Sequence, residues 1–294
     1  MISFLQILKQ KLRKTFPFLD KWYSSLIYPL SYLRYKKCLR SNLPYFGPYM
    51  SAKQGNPVRH AYMNQVVKQE CMIRGDRPFR VFEIGSWAGG SAITWAQAIK
   101  SHHRGNGVVV CVDPWEPSPN LKGNQGKHYR RMTEALASGA IFRLFVHNIR
   151  ASGQNDIVYP VKAPAEQILP FFSAGQFDMV FVDGDHHYSS VSRDLKNCMP
   201  LVADGGILCG DDLELQLSQV DVSHLHRMLE VDYIQDPKTG KWFHPGVALA
   251  VNEMFGEVTA WSGFWAMRRH GSGWKGVSLN VPDPRIPGHL ANRI

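Results

Sequence analysis

From residue 60 onward the apolar positions of this chain alternate between two periods. Short runs rich in Val, Ile, Leu and Phe, at Phe79–Ile84, 107–112, 157–161, Phe177–Val182 and 206–210, stop abruptly at polar residues and read as buried strands. Between them, apolar residues recur every three or four positions over 61–74, 91–100, 128–138 and 189–199, which predicts helices. A further short helix is expected near Ala165, and the apolar run 141–147 reads as another strand. The tail departs from the alternation, with a helix predicted over 246–256 and a late strand over 261–267 that pairs antiparallel. Strands separated by helices imply an α/β fold on a mostly parallel sheet, and such sheets bind ligands at the carboxyl ends of their strands.

Before residue 60 the pattern changes. Leu5, Leu8, Leu12, Phe16, Leu19, Tyr23, Leu26, Leu30 and Leu33 keep helical spacing, interrupted at Pro17 and Pro29, so short amphipathic helices are expected. Residues 41–60, with Pro44, Gly47, Pro48, Gly55 and Pro57, read as a connecting loop. The expected organisation is a helical N-terminal extension and linker over 1–60 and a ligand-binding domain over 61–294.

The net charge of +10 suggests a nucleic-acid partner until it is mapped along the chain. Residues 1–40 carry nine Lys and Arg against Asp20 alone, which is +8 of that total. The basicity belongs to the extension, so no nucleic acid is expected at the main domain. Two readings of the extension stay open. It packs as a lid on the main domain or on a second copy in a homo-oligomer, or it makes peripheral contact with an anionic membrane face, where each basic residue contributes about 1 kcal/mol. Five scattered cysteines, Cys38, Cys71, Cys111, Cys198 and Cys209, lack C-x-x-C spacing and read as reduced packing residues. No apolar run approaches the roughly 20 residues needed to cross a bilayer, and MISFLQILKQK has no secretory h-region, so a cytoplasmic protein is expected.

Candidate chemistry sits at the strand ends. FDMVFVD closes on Asp183, with Asp185 two residues on, and GGILCGDD closes on Asp211 and Asp212. If the two strands are neighbours, four carboxylates meet at one edge. Two such charges about 4 Å apart repel by roughly 4 kcal/mol at an effective dielectric near 20, so a cation or a proton must compensate. A divalent ion is the economical answer, and oxygen-only ligands favour Mg, Ca or Mn over Zn. The plain alternative is a strand-end turn at Asp183 and a helix N-cap at Asp211 or Asp212. The first strand closes on Glu83-Ile-Gly85-Ser-Trp-Ala-Gly89-Gly90-Ser91, which is neither a dinucleotide fingerprint nor a phosphate-binding P-loop. With Asp113 directly after VVVCV, it fits a nucleoside whose ribose hydroxyls meet a carboxylate.

These pieces, FEIGSWAGGS, CVDPW, FDMVFVDGDHHYSSVSRDL and LVADGGILCGDDL, resemble the class I S-adenosylmethionine-dependent methyltransferases, in particular the macrocin-type sugar O-methyltransferases, over about residues 60–270. The resemblance implies a Rossmann-like sheet and a bound S-adenosylmethionine. It places the methionine moiety at Glu83, Gly85, Gly89 and Ser91, the ribose at Asp113 and the adenine near Ala163 to Glu166. It also implies a Mg or Mn ion on Asp183, Asp211 and Asp212, and a catalytic base in DGDHHY, where both Asp185 and His186 are offered.

Methyl transfer to oxygen requires a hydroxyl stripped of its proton, and a coordinated divalent ion with a neighbouring base would do this. His186 is preferred as base because imidazole titrates in the useful range, with Asp185 kept as the alternative. His187 reads as a solvated loop residue. Tyr188 and Arg193 line an acceptor site or pack on the sheet, and Trp87 and Trp115 flank the expected pocket as stacking surfaces or structural rings. The loop after Asp113, with Lys122, Lys127, His128, Arg130 and Arg131, carries acceptor specificity or is merely solvated. The resulting expectation is a metal-dependent O-methyltransferase acting on a sugar or glycan hydroxyl. Its rivals are an oxygenase-like relative, disfavoured because no two-His-one-carboxylate set is evident, and a non-catalytic nucleoside-binding module.

Overall fold

The structure, a computed structural model, describes residues 17–118, 120 and 126–291, with side chains from Tyr28 onward. Residues 1–16, and with them the leucines from Leu5 to Phe16 of the expected amphipathic pattern, lie outside the described residues, as does Lys122.

Strands β1 (Phe79–Ile84), β2 (Gly107–Asp113), β3 (Val158–Lys162), β4 (Phe177–Val182) and β5 (Val202–Leu213) pair in parallel, and β9 (Gly263–His270) joins β5 antiparallel. With β10 (Gly273–Gly276) at the edge, the order is β10-β9-β5-β4-β1-β2-β3, and β8 (Ala260–Trp261) also pairs with β9. This is the α/β, Rossmann-like, mostly parallel sheet with a late antiparallel strand that the pattern predicts. The strand order reverses between β1 and β4, which opens a crevice beyond their carboxyl ends.

Alternate residues of each strand face opposite layers. Phe79, Val81, Met179, Phe181 and Ile207 belong to one core, and Phe82, Ile84, Val180, Val182 and Leu208 to the other. The first face is covered by helices Arg59–Arg74, Gly90–His102 and Ala140–Ala151, the second by Tyr188–Cys198 and Pro245–Phe255. Burial on both faces explains why the parallel strands read as continuous apolar runs rather than alternating ones.

Three expectations are corrected. Residues 141–147 form no strand but the middle of helix Ala140–Ala151. Ile141, Leu144, Phe145 and Ile149 are the buried positions, an i, i+3, i+4, i+8 spacing that only a helix presents to one face. Pro29 does not interrupt the extension, because helix Pro17–Arg40 continues through it. Residues 41–58 are more than a connector: Tyr45, Phe46, Met50 and Ala52 are buried in the first core. Ser31 of the preceding helix bonds the Tyr45 hydroxyl, and the Tyr35 ring lies 5.0 Å from that of Tyr49. Leu30 and Leu33 of the same helix stay exposed. Among the described residues no helix is long and apolar enough to cross a membrane.

Asn148, fully buried on helix Ala140–Ala151, ties this segment to the sheet. Its Oδ1 accepts from the Tyr45 N–H (2.8 Å), and its amide donates to the carbonyls of Tyr45 (3.1 Å) and Ala88 (2.9 Å). Asn148→Ala leaves three buried backbone groups unpaired and should cost about 2–4 kcal/mol in urea unfolding. A loss below about 0.5 kcal/mol would show that the segment is not anchored there.

Candidate active site

At the carboxyl ends of β1, β2, β4 and β5 lies a cleft of about 2190 Å³ that reaches from Pro164 past Asp113 and Asp183 to Tyr233 and His244. That exceeds the few hundred Å³ of a single small-ligand pocket and leaves room for two molecules side by side.

One end is built by the glycine turn. Gly85 adopts φ +83°, and a Cβ there would overlap the Asp183 carbonyl, so glycine is what allows the ends of β1 and β4 to touch. Trp87 follows in the left-handed region (φ 44°), which turns its N–H onto Asp113 Oδ2 at 3.0 Å. Trp115, also left-handed, donates to Asp113 Oδ1 at 2.6 Å. The Asp113 carboxylate is thereby fixed at the cleft, and burial pushes its carboxyl above the usual range. Ser91, in the first helical turn, also faces the cleft, and so do Pro164, Ala165 and Glu166.

Other expected residues are placed differently. Gly89 is a left-handed helix N-cap whose Cβ would crowd Phe145 and Ile149, so it serves close packing. Ala163 lies just before the lining segment. Glu83 sits beneath the turn, fully buried, with Oε2 accepting from Trp95 Nε1 at 2.9 Å and Oε1 without a partner. Trp115 is a core residue, its ring 4.7 Å from Phe142 and 4.8 Å from Phe145, while Trp87 lines the cleft.

The acidic end assembles as expected: Asp183, Asp211 and Asp212 each bring a carboxylate oxygen within 4.8 Å of the others. Consecutive strand residues normally point to opposite faces. Here the β5–β9 register slips between Gly210 and Leu213, and Asp212 takes φ 60°, a bulge that turns both carboxylates toward Asp183. The cation among them is Arg59, which the sequence did not single out. Its guanidinium contacts Asp211 and lies 3.4 Å from Asp183 and 3.8 Å from Asp212, with the side chain 6% exposed. In donor chemistry three carboxylates fit a divalent ion, and among the described residues Asp211 Oδ1 has no hydrogen-bond partner. Asp183 and Asp211, however, already face a protein cation.

Beyond Asp183 the DGDHHY turn holds both candidate bases. His186 Nδ1 pairs with Asp232 (2.7 Å) and Nε2 with Asp212 (2.9 Å). Burial opposes its charge, but the two carboxylates hold its pKa well above the ordinary value, so the imidazole is a proton holder. Asp185 accepts from Asn120 (2.5 Å), Ser190 (3.2 Å), the His187 N–H (3.2 Å) and His187 Nδ1. Burial would raise its carboxyl, yet His187 and Asn120 keep it below the usual range. His187 is buried rather than solvated, lines the cleft, and among the described residues its Nε2 has no hydrogen-bond partner. Arg193 lines the cleft, whereas Tyr188 turns away to Glu253. Lys127, His128 and Arg131 of the basic loop also reach it. His244 faces the site too, so a two-His-one-carboxylate set, His186, Asp212 and His244, is present after all.

Residues 82–213, from β1 to the β5 bulge, match the family described as a methyltransferase domain. The matched segment holds the glycine turn, Asp113 and the strand-end carboxylates, so the resemblance to a methyltransferase domain falls on the residues that build the cleft. The O-methyltransferase NovP shares its fold, with 19% identity over 72% of this chain and 80% of NovP and a TM-score of 0.50. TomG from Streptomyces achromogenes, an O-methyltransferase of tomaymycin synthesis solved with S-adenosylmethionine, gives 16% identity over 86% of this chain and 96% of its own, with a TM-score of 0.47. No curated protein matches the sequence.

Burial pushes the Glu83 carboxyl beneath the glycine turn up to about 7 from an ordinary 4.5. Between those values the folded protein holds a proton that the unfolded chain has released. Glu83 therefore contributes stability at low pH that is lost as pH rises through about 7, by up to about 3 kcal/mol. Glu83→Gln should remove this dependence. The wild-type-minus-variant difference in unfolding free energy should fall between pH 4.5 and 8, and a difference constant with pH would refute the raised carboxyl.

Proposed function

We propose that this methyltransferase transfers the methyl group of S-adenosylmethionine to a hydroxyl of a polyhydroxylated acceptor, a sugar or glycan. The reading rests on one juxtaposition: the fixed Asp113 carboxylate and the Gly85 turn at one end of the cleft, and the Asp185–His187 pair at the other. The match of residues 82–213 to a methyltransferase domain supports the choice of donor.

On the donor side, each Asp113 oxygen holds one backbone N–H and keeps lone pairs free, so the carboxylate accepts the two ribose hydroxyls. The Gly85 turn and the start of helix Gly90–His102 bring backbone against the methionine moiety, and Pro164 to Glu166 border the adenine. A donor held by these residues would offer its methyl group to an acceptor bound on the Asp183 side of the cleft.

On the acceptor side the base must have an open nitrogen or oxygen. His186 has both nitrogens engaged, and the carboxylate of Asp185 has about as many donors as it has lone pairs. Asp185 instead orients His187 through Nδ1, which leaves Nε2 to take the acceptor proton as the oxygen attacks the methyl. Asp185 thus keeps a catalytic part, as positioning residue. A divalent ion at the Asp212 end of the cluster would supply Lewis acidity that lowers the pKa of an acceptor hydroxyl. Lys127, Arg131 and Arg193 give the acceptor side polar contacts.

The function is tested by methyl uptake from labelled donor into a panel of sugars, glycans and phenols. Labelling confined to phenols would overturn the sugar assignment. In calorimetry, Asp113→Ala should weaken donor binding by about 2–4 kcal/mol, roughly 30- to 1,000-fold, and unchanged affinity would remove Asp113 from the ribose site. His187→Ala should lower kcat by about 10²–10⁴ while donor affinity holds. If His187→Ala retains full turnover, the base is not His187.

A further inference from the structure

The acidic end of the cleft has two sides. Arg59 occupies the one toward Asp183 and Asp211, and Asp212 reaches across to the other. There Asp212 Oδ2 lies 2.9 Å from His186 Nε2, and one donor atom each of His186, Asp212 and His244 lie within 4.8 Å of one another. The two imidazole rings meet edge to face with centroids 4.5 Å apart.

Both rings are held from behind. His186 Nδ1 bonds Asp232 at 2.7 Å, and His244 Nδ1 lies 3.1 Å from both oxygens of Glu214, which also accepts the His244 backbone N–H at 3.3 Å. A carboxylate on Nδ1 fixes the proton there and leaves Nε2 as the donor, the arrangement that supports metal-bound histidine. Tyr129, bonded to the other oxygen of Asp232, extends the support on one side, and the Tyr233 ring, 4.6 Å from that of His244, does so on the other. All three donor residues line the cleft, so coordination positions beyond theirs open toward the acceptor.

We infer that His186, Asp212 and His244 form a binding site for a borderline first-row divalent ion such as Zn²⁺, Co²⁺ or Fe²⁺, and that the expected oxygen-only site for Mg is closed by Arg59. Two imidazoles and one carboxylate select such ions over Mg and Ca, which take oxygen ligands. Asp183 and Asp211 then serve Arg59 and the protein's own charge balance. The inference rests on reading the cleft as the acceptor site of a methyltransferase and specifies which cation that site takes.

The test is titration of the full-length, chelator-treated protein with Co²⁺, followed by visible absorption, with Zn²⁺ as competitor. One equivalent should bind with the spectrum of nitrogen ligation and be displaced by Zn²⁺ but not by excess Mg²⁺. His244→Ala should weaken Co²⁺ binding at least about tenfold, and Glu214→Gln, which leaves the ligands in place, by about tenfold. Asp183→Asn should weaken it less than either, with circular dichroism confirming that each variant folds. Two outcomes overturn the site: no Co²⁺ binding, or binding lost in Asp183→Asn and kept in His244→Ala. Donor binding, followed separately by calorimetry without metal, reports the methyltransferase reading. If the donor binds and Co²⁺ does not, the metal inference alone falls, and if the donor does not bind, the underlying reading falls.

Discussion

The feature on which the rest of this architecture depends is the meeting of three carboxylates and one guanidinium at the ends of β4 and β5. Asp183, Asp211 and Asp212 come from neighbouring strands, and a buried arginine from a distant part of the chain lies among them. Removing one partner of a buried ion pair typically costs 3–5 kcal/mol, because the charge left behind has neither water nor a counter-ion. The fold therefore has to deliver Arg59 reliably. Asn148 clamps Tyr45, Trp87 Nε1 donates to the Ser51 carbonyl at 3.0 Å, and these anchors carry the segment to Arg59 at the start of its helix. A stretch with the composition of a linker is thus part of the site wall.

The same sheet carries a second buried charge cluster at the opposite end of the strands. Glu70 and Asp178 are held there by Arg74, Arg80 and Arg268, and Arg74 bridges the two acids. Cations match the acids, the partners are all protein groups, and the cluster lies outside the cleft. At the carboxyl ends the balance differs. Asp183, Asp185, Asp211, Asp212, Asp232 and Glu214 share Arg59 and three histidines, and the histidines carry charge only when protonated. A network closed by arginines is fixed, whereas one closed by imidazoles exchanges protons or ligands, and only the latter sits where substrates arrive.

Much of this was legible in the sequence. The five parallel strands, the late antiparallel one and the strand-end residues Gly85, Asp113, Asp183, Asp211 and Asp212 follow from local runs and their stops. Two kinds of feature did not. The helix Ala140–Ala151 was hidden because its apolar residues are nearly contiguous, and a short apolar run does not separate helix from strand unless its spacing is checked at i+3, i+4 and i+8. Arg59, Asp232 and His244 were hidden because they reach the site from elsewhere in the chain. Their meeting is set by tertiary packing, which no spacing encodes. The one local hint was His187, two residues from Asp185, whose burial no local pattern marks.

That helix shows how packing sets the chemistry of the site. Gly246, in its first turn, lies so close to the DGDHHY turn that a Cβ would overlap the His186 carbonyl and the Tyr188 N–H. Glycine permits the approach, and the approach has two consequences. It lays the start of the helix on the backbone of the turn at His186 to Tyr188, and it sets His244, the residue before the helix, beside His186. The proton-accepting pair Asp185–His187 and the pair His186–His244 therefore lie on either side of one tight helix–turn contact. Any displacement of this helix moves both together, so the proposed base and the proposed cation site are positioned by a single packing constraint rather than by two.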